Sequence, residues 1–174
     1  LDGYGFSGLA LAVTAAGVLL DYSLETQKSP LDHIESISPI ELDSFLLIDD
    51  SSRRNLELTQ TIVGGQREGS LLSVLDNCCT PMGSRLLKHR ILFPLRDVER
   101  ISSRLDGVNF FFQNSHIRTE TRTLLDTVYD IERLNSRMVL GSGNGRDMIA
   151  LKQSLKQLPL IKNQLADSAT SKII

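Results

Sequence analysis

Residues 69–108 read GSLLSVLDNCCTPMGSRLLKHRILFPLRDVERISSRLDGV and predict a run of packed helices. Ser70 is a typical helix start, and Thr80 followed by Pro81 supplies an N-cap and a first-turn proline. Pro94 is expected to end that helix, because a proline lacks the amide donor that a continuing helix needs. None of these positions forms a catalytic pattern, so the stretch predicts a structural scaffold.

The next helix is expected from Asp97 to Gln113 and carries an apolar stripe. Its apolar residues recur at three- and four-residue steps, which is typical of one buried helix face: Val98, Ile101, Leu105, Val108 and Phe112. We interpret this face as the seam of a helical bundle. Gly83 lies one turn before Leu86 and Leu87, and we expect its missing side chain to let a neighbouring helix lie close.

Helical periodicity continues to the end of the chain. Helices are expected at about 71–76, 81–93 and 97–113, then at 117–127 running towards 129–140, and at 146–166. The inner faces are predicted at Val128, Ile131, Leu134 and Met138, and at Met148, Leu151, Leu155, Leu158 and Leu165. Pro159 is expected to break or kink the last helix.

The apolar run from Leu9 to Leu20 predicts a buried helix. It is far shorter than the roughly 20 apolar residues that span a bilayer, and it lacks a basic leader. Its apolar residues share one face at helical spacing: Leu9, Val13, Ala16, Leu20 and Leu24, with Ala12 and Gly17 allowing close approach. Because the chain begins at Leu1, without methionine, we expect it to be a piece of a longer protein.

Residues 29–69 predict a linker followed by a small β element. Two Ser-Pro pairs and His33 punctuate residues 29–39 and favour a connection over a helix. Residues 45–48 are apolar and partly β-branched, and Leu56, Leu58 and Thr59 are expected to form the partner strand, with a helical turn between. The glycines of residues 61–70 indicate a surface turn.

Composition excludes several classes of protein. The 174 residues are 41% hydrophobic and 23% charged, with a formal net charge of −2, so no large electrostatic DNA-binding surface is encoded. Cys78 and Cys79 are adjacent, and this spacing suits neither a disulfide scaffold nor a metal site. We therefore expect an intracellular protein.

No catalytic, cofactor-binding or metal-binding residue is predicted. The sequence GSGNGR at residues 141–146 lacks the lysine and hydroxyl residue of a Walker loop and follows a helix, so we interpret it as an interhelical turn, with Asp147 capping the next helix. The histidines His33, His89 and His116 have no partners at ligand spacing.

Two groups of basic residues could touch phosphate: Arg53 with Arg54, and Arg85 with Lys88 and His89. A solvated or carboxylate-paired face is favoured for both, because no aromatic residue is interleaved and acidic residues are equally abundant. The charged side formed by Asp130, Glu132, Arg133 and Arg137 is expected to support its own helix or to bridge to a neighbouring one.

An ordered set of segments resembles the MutS family of DNA mismatch-repair proteins. The segments are SSRRNLELTQ (51–60), SLLSVLD (70–76), TPMGSRLL (80–87), PLRDVERISSRLDGV (94–108), YDIERLNSRMVLG (129–141) and RDMIALKQSL (146–155). Their order and spacing make the resemblance specific, and it covers roughly residues 5–160. The sequence departs from the common family pattern at Arg90, Phe93 and Gly145.

The resemblance implies a mainly α, multi-helix core or lever bundle with a small β element in the N-terminal third. Residues 1–28 would lead from a connector region into the core, residues 29–69 would be the linker and β element, and residues 70–174 the helical core, cut before the DNA clamp. An unrelated all-helical protein-interaction scaffold is the alternative, and a small hydrolase, for which no catalytic pattern is present, is a third.

The implied role is coupling between mismatched-DNA binding and an ATPase domain of the full-length protein. That protein would be a homodimeric, MutS-type ATPase of the bacterial cytoplasm, acting on nucleoid DNA and recruiting a MutL-type protein. ATP and Mg²⁺ would bind in its ATPase domain, whereas this chain would be no enzyme and would bind DNA weakly at most.

Overall fold

The computed structural model describes residues 8–27 and 44–166 of the chain. These residues contain eight helices and no β-strand. The helices are α1 (Ala10–Gln27), α2 (Asp50–Asn55), α3 (Leu71–Leu75), α4 (Pro81–Leu92), α5 (Val98–Gln113), α6 (Ser115–Asp126), α7 (Ile131–Val139) and α8 (Gly145–Ala166). The mainly α prediction is confirmed. The expected connection at residues 29–39 lies outside the described residues.

The chain divides into two units, Leu1–Leu42 and Asp43–Ile174. Helix α1, in the first unit, forms where the apolar run predicted it, but the prediction that it is buried is wrong. None of its residues is buried, and only Val13, Ala16, Leu20 and Ser23 are half-buried. A helix buries a face only against another packed element, which its own sequence does not specify. No helix in the described part of the chain is long and apolar enough to cross a membrane.

The predicted small sheet is wrong. Among the described residues the only β pairing is a single antiparallel bridge between Phe45 and Leu95. The residues between the two expected strands form helix α2, because the Asp49 carboxylate accepts a hydrogen bond from the Ser52 amide at 2.7 Å and caps it. The second expected strand is a turn instead, which brings the Leu58 carbonyl within 2.9 Å of the Leu72 amide.

The helix ends of the second unit were predicted closely, because caps are local. Ser70, Thr80 and Asp97 cap α3, α4 and α5 with their own side chains, and Pro81 occupies the first turn of α4. Gly83 behaves differently from the prediction. A Cβ there would lie 3.2 Å from Thr80 Oγ1 and 3.3 Å from Cys78 Cβ, both from the turn that begins α4 itself, and not from a neighbouring helix.

The predicted seam on α5 does not form among residues 8–27 and 44–166, where that face is exposed. The exposed fraction of its five apolar residues runs from 36% at Ile101 to 73% at Val98. Helix α5 packs against α6 with its other side, where Gly107, Phe110 and Phe111 are half-buried. Periodicity identifies an apolar face, but α5 has apolar residues on two sides, and the packing selects the other one.

Helix α8 packs against α6 and α7. The predicted inner face of α7 is confirmed, since Val128 and Leu134 are buried and Ile131 and Met138 are half-buried. Ser154 of α8 is fully buried; its hydroxyl donates to the Ala150 carbonyl and accepts from the Tyr129 amide, both at 2.9 Å.

The predicted inner face of α8 is largely wrong. Met148, Leu155 and Leu158 are 62%, 47% and 44% exposed, while the side centred on Ser154 packs inward. The small residues Ala150 and Ser154 lie where the chain before α7 comes close, and of the predicted face Leu151 and Leu165 are half-buried. Pro159 lies inside the helix without ending it, so the expected break does not occur.

Candidate functional site

Arg85 connects α4 to the start of α7. Its guanidinium donates to both Asp130 carboxylate oxygens at 2.7 Å, and its Nε donates to Glu132 Oε2 at 3.1 Å. Asp130 is the N-cap of α7 and Glu132 lies in its first turn. We call Arg85, Asp130 and Glu132 the Arg85 clamp. A bidentate pair has a fixed geometry, so the clamp holds the two helices in one relative orientation.

The electrostatics of the clamp favour the charged forms. Hydrogen bonds from Arg85 lower the pKa of Asp130 to about 2, against an opposing effect of burial, and the Arg133 amide adds to the lowering. The same two carboxylates raise the pKa of Arg85. Asp130 also accepts from the Arg133 amide at 3.2 Å, so one carboxylate caps α7 and binds α4. The predicted bridge from this charged side to a neighbouring helix is therefore confirmed.

A second carboxylate, Asp76, joins α3 to α4. It accepts hydrogen bonds from Ser84 Oγ at 2.9 Å, from the Cys78 amide at 3.3 Å and from the Arg67 guanidinium. Its side chain is almost wholly buried. Burial raises the pKa of Asp76, but the hydrogen bonds from Ser84, Cys78 and Arg67 outweigh it, so the pKa is lowered overall. The carboxylate is thus held charged.

Arg67, Asp76, Ser84, Arg85 and Lys88 line one cavity of about 230 Å³. Two of its three cations are engaged by carboxylates, while Lys88 has no ion-pair partner among the described residues. Ser84 Oγ donates to Asp76, but the hydrogen bonds that lower the pKa of this carboxylate make it a poor general base, so the cavity serves charge pairing. Through these contacts the carboxylates join α3 to α4 and α4 to α7.

The other predicted basic residues lie apart from this cavity. Arg53 pairs with Asp50 at 3.6 Å, and its guanidinium carbon lies 5.1 Å from the centre of the Phe93 ring. His89 contacts the same ring, with centroids 4.9 Å apart, and Phe45 at 6.3 Å. Arg85 and Lys88 therefore come together as predicted, whereas His89 turns to an aromatic cluster.

The glycine-rich turn does not fit a nucleotide phosphate. The amides of Ser142 and Gly143 both donate to the Arg137 carbonyl, at 3.0 and 2.9 Å. The Asn144 side chain caps α8 by accepting from the Arg146 and Asp147 amides, and the Asp147 carboxylate accepts from the Asn144 amide in return. The amides of five of its residues are thus occupied, and the predicted interhelical turn with Asp147 at the cap is confirmed: Ser142, Gly143, Asn144, Arg146 and Asp147.

The remaining metal and thiol candidates have ordinary surroundings. His116 faces Glu120 at 3.2 Å, and His33 lies outside the described residues. Within the described ranges no three histidine, cysteine or acidic side chains are grouped as metal ligands would be. Cys78 and Cys79 are free thiols, and burial followed by the neighbouring Asp76 raises the pKa of Cys78, which disfavours the reactive thiolate.

Comparison with known proteins shows which sequences this chain is similar to. The family model described as MutS domain III matches residues 51–173. The chain is 44% identical over 174 residues to the DNA mismatch repair protein MutS of Desulfatibacillum aliphaticivorans, covering 100% of this chain and 20% of that protein.

It is also 46% identical over 157 residues to the MutS of Acetivibrio thermocellus, which covers 90% of this chain and 18% of that protein. The MutS of Ruminiclostridium cellulolyticum is 49% identical over 155 residues, covering 89% of this chain and 18% of that protein. The chain thus spans about a fifth of the length of these relatives.

Proposed function

This chain belongs to the MutS family, in which it matches domain III, and we propose that in the full-length protein it is a lever that couples mismatched-DNA binding to the ATPase domain. Membership removes the basis for the alternative of an unrelated helical scaffold. Domain boundaries at 28/29 and 69/70 are part of this proposal, as is the description of residues 70–174 as the lever.

The wider proposal concerns the full-length protein. We infer that it is a homodimeric ATPase that binds mismatched double-stranded DNA, uses ATP and Mg²⁺ in a domain outside this chain, and recruits a MutL-type protein in the bacterial cytoplasm. The names of the relatives support a role in DNA mismatch repair. The other features rest on the family resemblance.

The observation that best supports the lever is the Arg85 clamp. Coupling between distant sites requires an element whose arrangement both sites can bias, and such an element must transmit force without yielding. The clamp joins α4 to α7, and α7 is in turn held to α8 by the Tyr129–Ser154 hydrogen bond and by Arg137 on Asp147 at 3.1 Å. Specific polar contacts therefore run through three helices.

We propose that this chain contributes little to the DNA affinity of the full-length protein. Its net charge is −2, and the cations of the cavity are largely neutralised by Asp76, Asp130 and Glu132. Affinity for duplex DNA depends mainly on cations available to phosphate. We expect the isolated chain to bind matched and mismatched duplexes equally poorly.

The test is Arg85→Gln in the full-length protein. We expect basal ATP hydrolysis to be preserved, while ATP-induced departure from an end-blocked mismatched duplex slows by about 2- to 30-fold, the range that 0.5–2 kcal/mol of coupling represents. Both rates are measured in one preparation, by stopped-flow fluorescence of labelled DNA and by phosphate release.

Arg133→Gln is the matched control. Arg133 also contacts Asp130, but at 3.5 Å, from within the same helix and with a side chain 77% exposed. Its loss should leave departure unchanged. Equal departure rates in Arg85→Gln and in the unmodified protein, with both folded, would remove the clamp from the coupling path.

A further inference from the structure

Two adjacent thiols, Cys78 and Cys79, lie in the turn between α3 and α4, and we call them the dithiol turn. Cys78 is exposed and Cys79 is half-buried, so small solutes reach both side chains. The two thiols also lie close to each other, because the charge of Cys79 is one of the causes that raise the pKa of Cys78, after burial and the Asp76 carboxylate. The turn therefore presents two neighbouring nucleophiles that the Arg85 clamp does not use.

The peptide unit between the two cysteines is not held by the fold. In the described part of the chain, no hydrogen bond involves the Cys78 carbonyl or the Cys79 amide. The residues on either side are held, since the Asn77 carbonyl accepts from Arg122 of α6 at 2.9 Å and Thr80 caps α4 with its hydroxyl. This one peptide unit can therefore change its orientation while the ends of the turn stay in place.

A disulfide between adjacent residues requires such a change of orientation. Their Cα atoms are about 3.8 Å apart across a trans peptide, which is shorter than the roughly 4.4–6.8 Å usual for a disulfide. Closing the bond therefore strains the peptide, and strained or exposed disulfides are the labile, regulatory ones. The pair thus suits a reversible disulfide, in contrast to the permanent cross-links of a disulfide scaffold.

The reduced Cys78 side chain packs on the start of α4. A Cβ at Gly83 would lie 3.3 Å from Cys78 Cβ and 3.5 Å from its Sγ, so this side chain covers the first turn there. The Asp76 carboxylate, which accepts from the Cys78 amide at 3.3 Å and from Ser84 Oγ at 2.9 Å, lies beside the thiol. Turning the Cys78 sulfur towards Cys79 removes it from this contact with α4.

We propose that the dithiol turn is a redox site, at which a peroxide oxidises Cys78 and Cys79 to a reversible disulfide that loosens the junction of α3 with α4. In the first step the Cys79 thiolate attacks one oxygen of hydrogen peroxide and the O–O bond breaks. The leaving hydroxide takes the proton that the thiol has lost, which gives a sulfenic acid and water. In the second step the Cys78 thiolate attacks the sulfenic sulfur, the S–O bond breaks and a second water leaves. Two thiols are oxidised, and one peroxide is reduced to two waters.

The surroundings of the two thiols assign their roles. Burial and the Asp76 carboxylate raise the pKa of the Cys78 thiol, which disfavours its thiolate and hence its attack on peroxide. Cys79 is therefore the attacking thiol. Cys78 is the resolving thiol, because it is adjacent in the chain and meets the sulfenic sulfur before a second peroxide does.

The first experiment follows both thiols in the full-length protein by mass spectrometry. The protein is treated with hydrogen peroxide, blocked with N-ethylmaleimide under denaturing conditions and digested with trypsin. Cleavage after Arg67 and after Arg85 releases residues 68–85, which contain both cysteines. We expect this peptide to lose two hydrogens and to take up no maleimide. When dithiothreitol is added before the block, the peptide should take up two.

Met82 lies in the same peptide, and its sulfoxide reports that the oxidant reached the turn. A peptide that still takes up two maleimides when Met82 is oxidised would overturn the proposal. A disulfide to any other peptide would overturn it as well, and so would a sulfinic acid on one cysteine beside a free thiol on the other.

Cys78→Ser and Cys79→Ser test the roles with side chains of similar size. In Cys78→Ser the sulfenic acid at Cys79 has no adjacent thiol to react with, so it should persist and be captured by dimedone. In Cys79→Ser the oxidation of Cys78 should be several-fold slower. Equal rates of oxidation in the two variants would contradict the assignment of Cys79 as the attacking thiol.

Hydrogen exchange in the full-length protein tests the loosened junction. Amides of residues 76–85 should exchange several-fold faster after peroxide and should return to the original rate after dithiothreitol. Cys78→Ser given the same peroxide is the control, because it cannot form the disulfide, and its exchange should not change. Equal exchange in the oxidised and reduced forms of the unmodified protein would refute the loosening. This inference goes beyond the coupling role and does not rest on it, since the Arg85→Gln experiment decides coupling separately.

Discussion

Ser154→Ala isolates the contribution of one buried hydroxyl to the junction between α7 and α8. The hydroxyl accepts from the Tyr129 amide at 2.9 Å, and the described structure gives that amide no other partner. Removing the acceptor leaves a backbone donor unsatisfied, which costs about 1–3 kcal/mol. Alanine recovers roughly 0.5 kcal/mol through its higher helix propensity. We expect a net loss of about 0.5–2.5 kcal/mol in the free energy of unfolding.

Ser136→Ala is the matched control. Ser136 also lies in a helix and donates to the carbonyl four residues earlier, Glu132, at 2.9 Å, just as Ser154 donates to Ala150. Ser136 is exposed, and its hydroxyl accepts from no backbone amide in the described structure. Its replacement should change the unfolding free energy by no more than about 0.5 kcal/mol.

The assay is equilibrium urea unfolding of this chain, followed by far-ultraviolet circular dichroism, with amide hydrogen exchange at Tyr129 as a local readout. Ser154→Ala should lower the midpoint without changing the slope and should speed exchange at Tyr129. The reasoning would be refuted if the two alanine variants unfolded at the same urea concentration, or if the Tyr129 amide kept its protection.

Three further outcomes are expected for this chain. Because the pKa of Asp130 in the folded chain is lowered to about 2 from 3.8, its contribution to stability is present above pH 4 and is lost as the pH falls towards 2. Arg85→Gln should therefore flatten the dependence of the urea midpoint on pH in this range. An unchanged dependence would contradict the clamp. Leu134→Asp, at a site only 9% exposed, should cost about 3–5 kcal/mol in thermal unfolding, whereas Leu105→Asp, at 60% exposed, should cost under about 0.5 kcal/mol. Similar losses would mean that α5 buries its stripe in solution. Gly107→Ala should stabilise α5 by about 0.5–1 kcal/mol, since a Cβ there meets nothing within 4 Å. Gly83→Ala should give no such gain, because its Cβ would crowd Thr80 and Cys78. Equal increases in the unfolding free energy of the two variants, measured by chemical denaturation, would show that the turn before α4 can move to accommodate a Cβ.

The helix ends could be predicted because their causes lie within a few residues. A capping side chain and the amide that it accepts from are three positions apart, so Ser70, Thr80 and Asp97 carry the signal in the sequence itself. At Asp49 the helical turn between the expected strands was predicted and is helix α2, whereas the strands on either side of it did not form. The Asp49 carboxylate, three positions before the Ser52 amide, is the local cause of that turn.

The buried faces could not be predicted from periodicity alone. Helices α5 and α8 have apolar residues on more than one side, and which side packs depends on elements distant in sequence. For α8, the buried Ser154 hydroxyl accepts from the Tyr129 amide, 25 residues earlier in the chain, and periodicity carries no signal for that contact.

The clamp was foreseen only in part. The charged side around Asp130 predicted a bridge, but the partner, Arg85, is 45 residues away, and nothing local identifies it.

The double use of Asp130 restricts which residues can replace it during evolution. As a helix cap alone, the position would accept asparagine, serine or threonine almost equally. As a partner for a guanidinium fork it needs two carboxylate oxygens, and glutamate, one methylene longer, cannot cap from the same backbone position. Aspartate is the one side chain that meets both demands while residue 85 is arginine. Once residue 85 is no longer arginine, position 130 needs only a helix-capping side chain. The residues at 85 and 130 should therefore change together among descendants of this sequence, with 85 changing first.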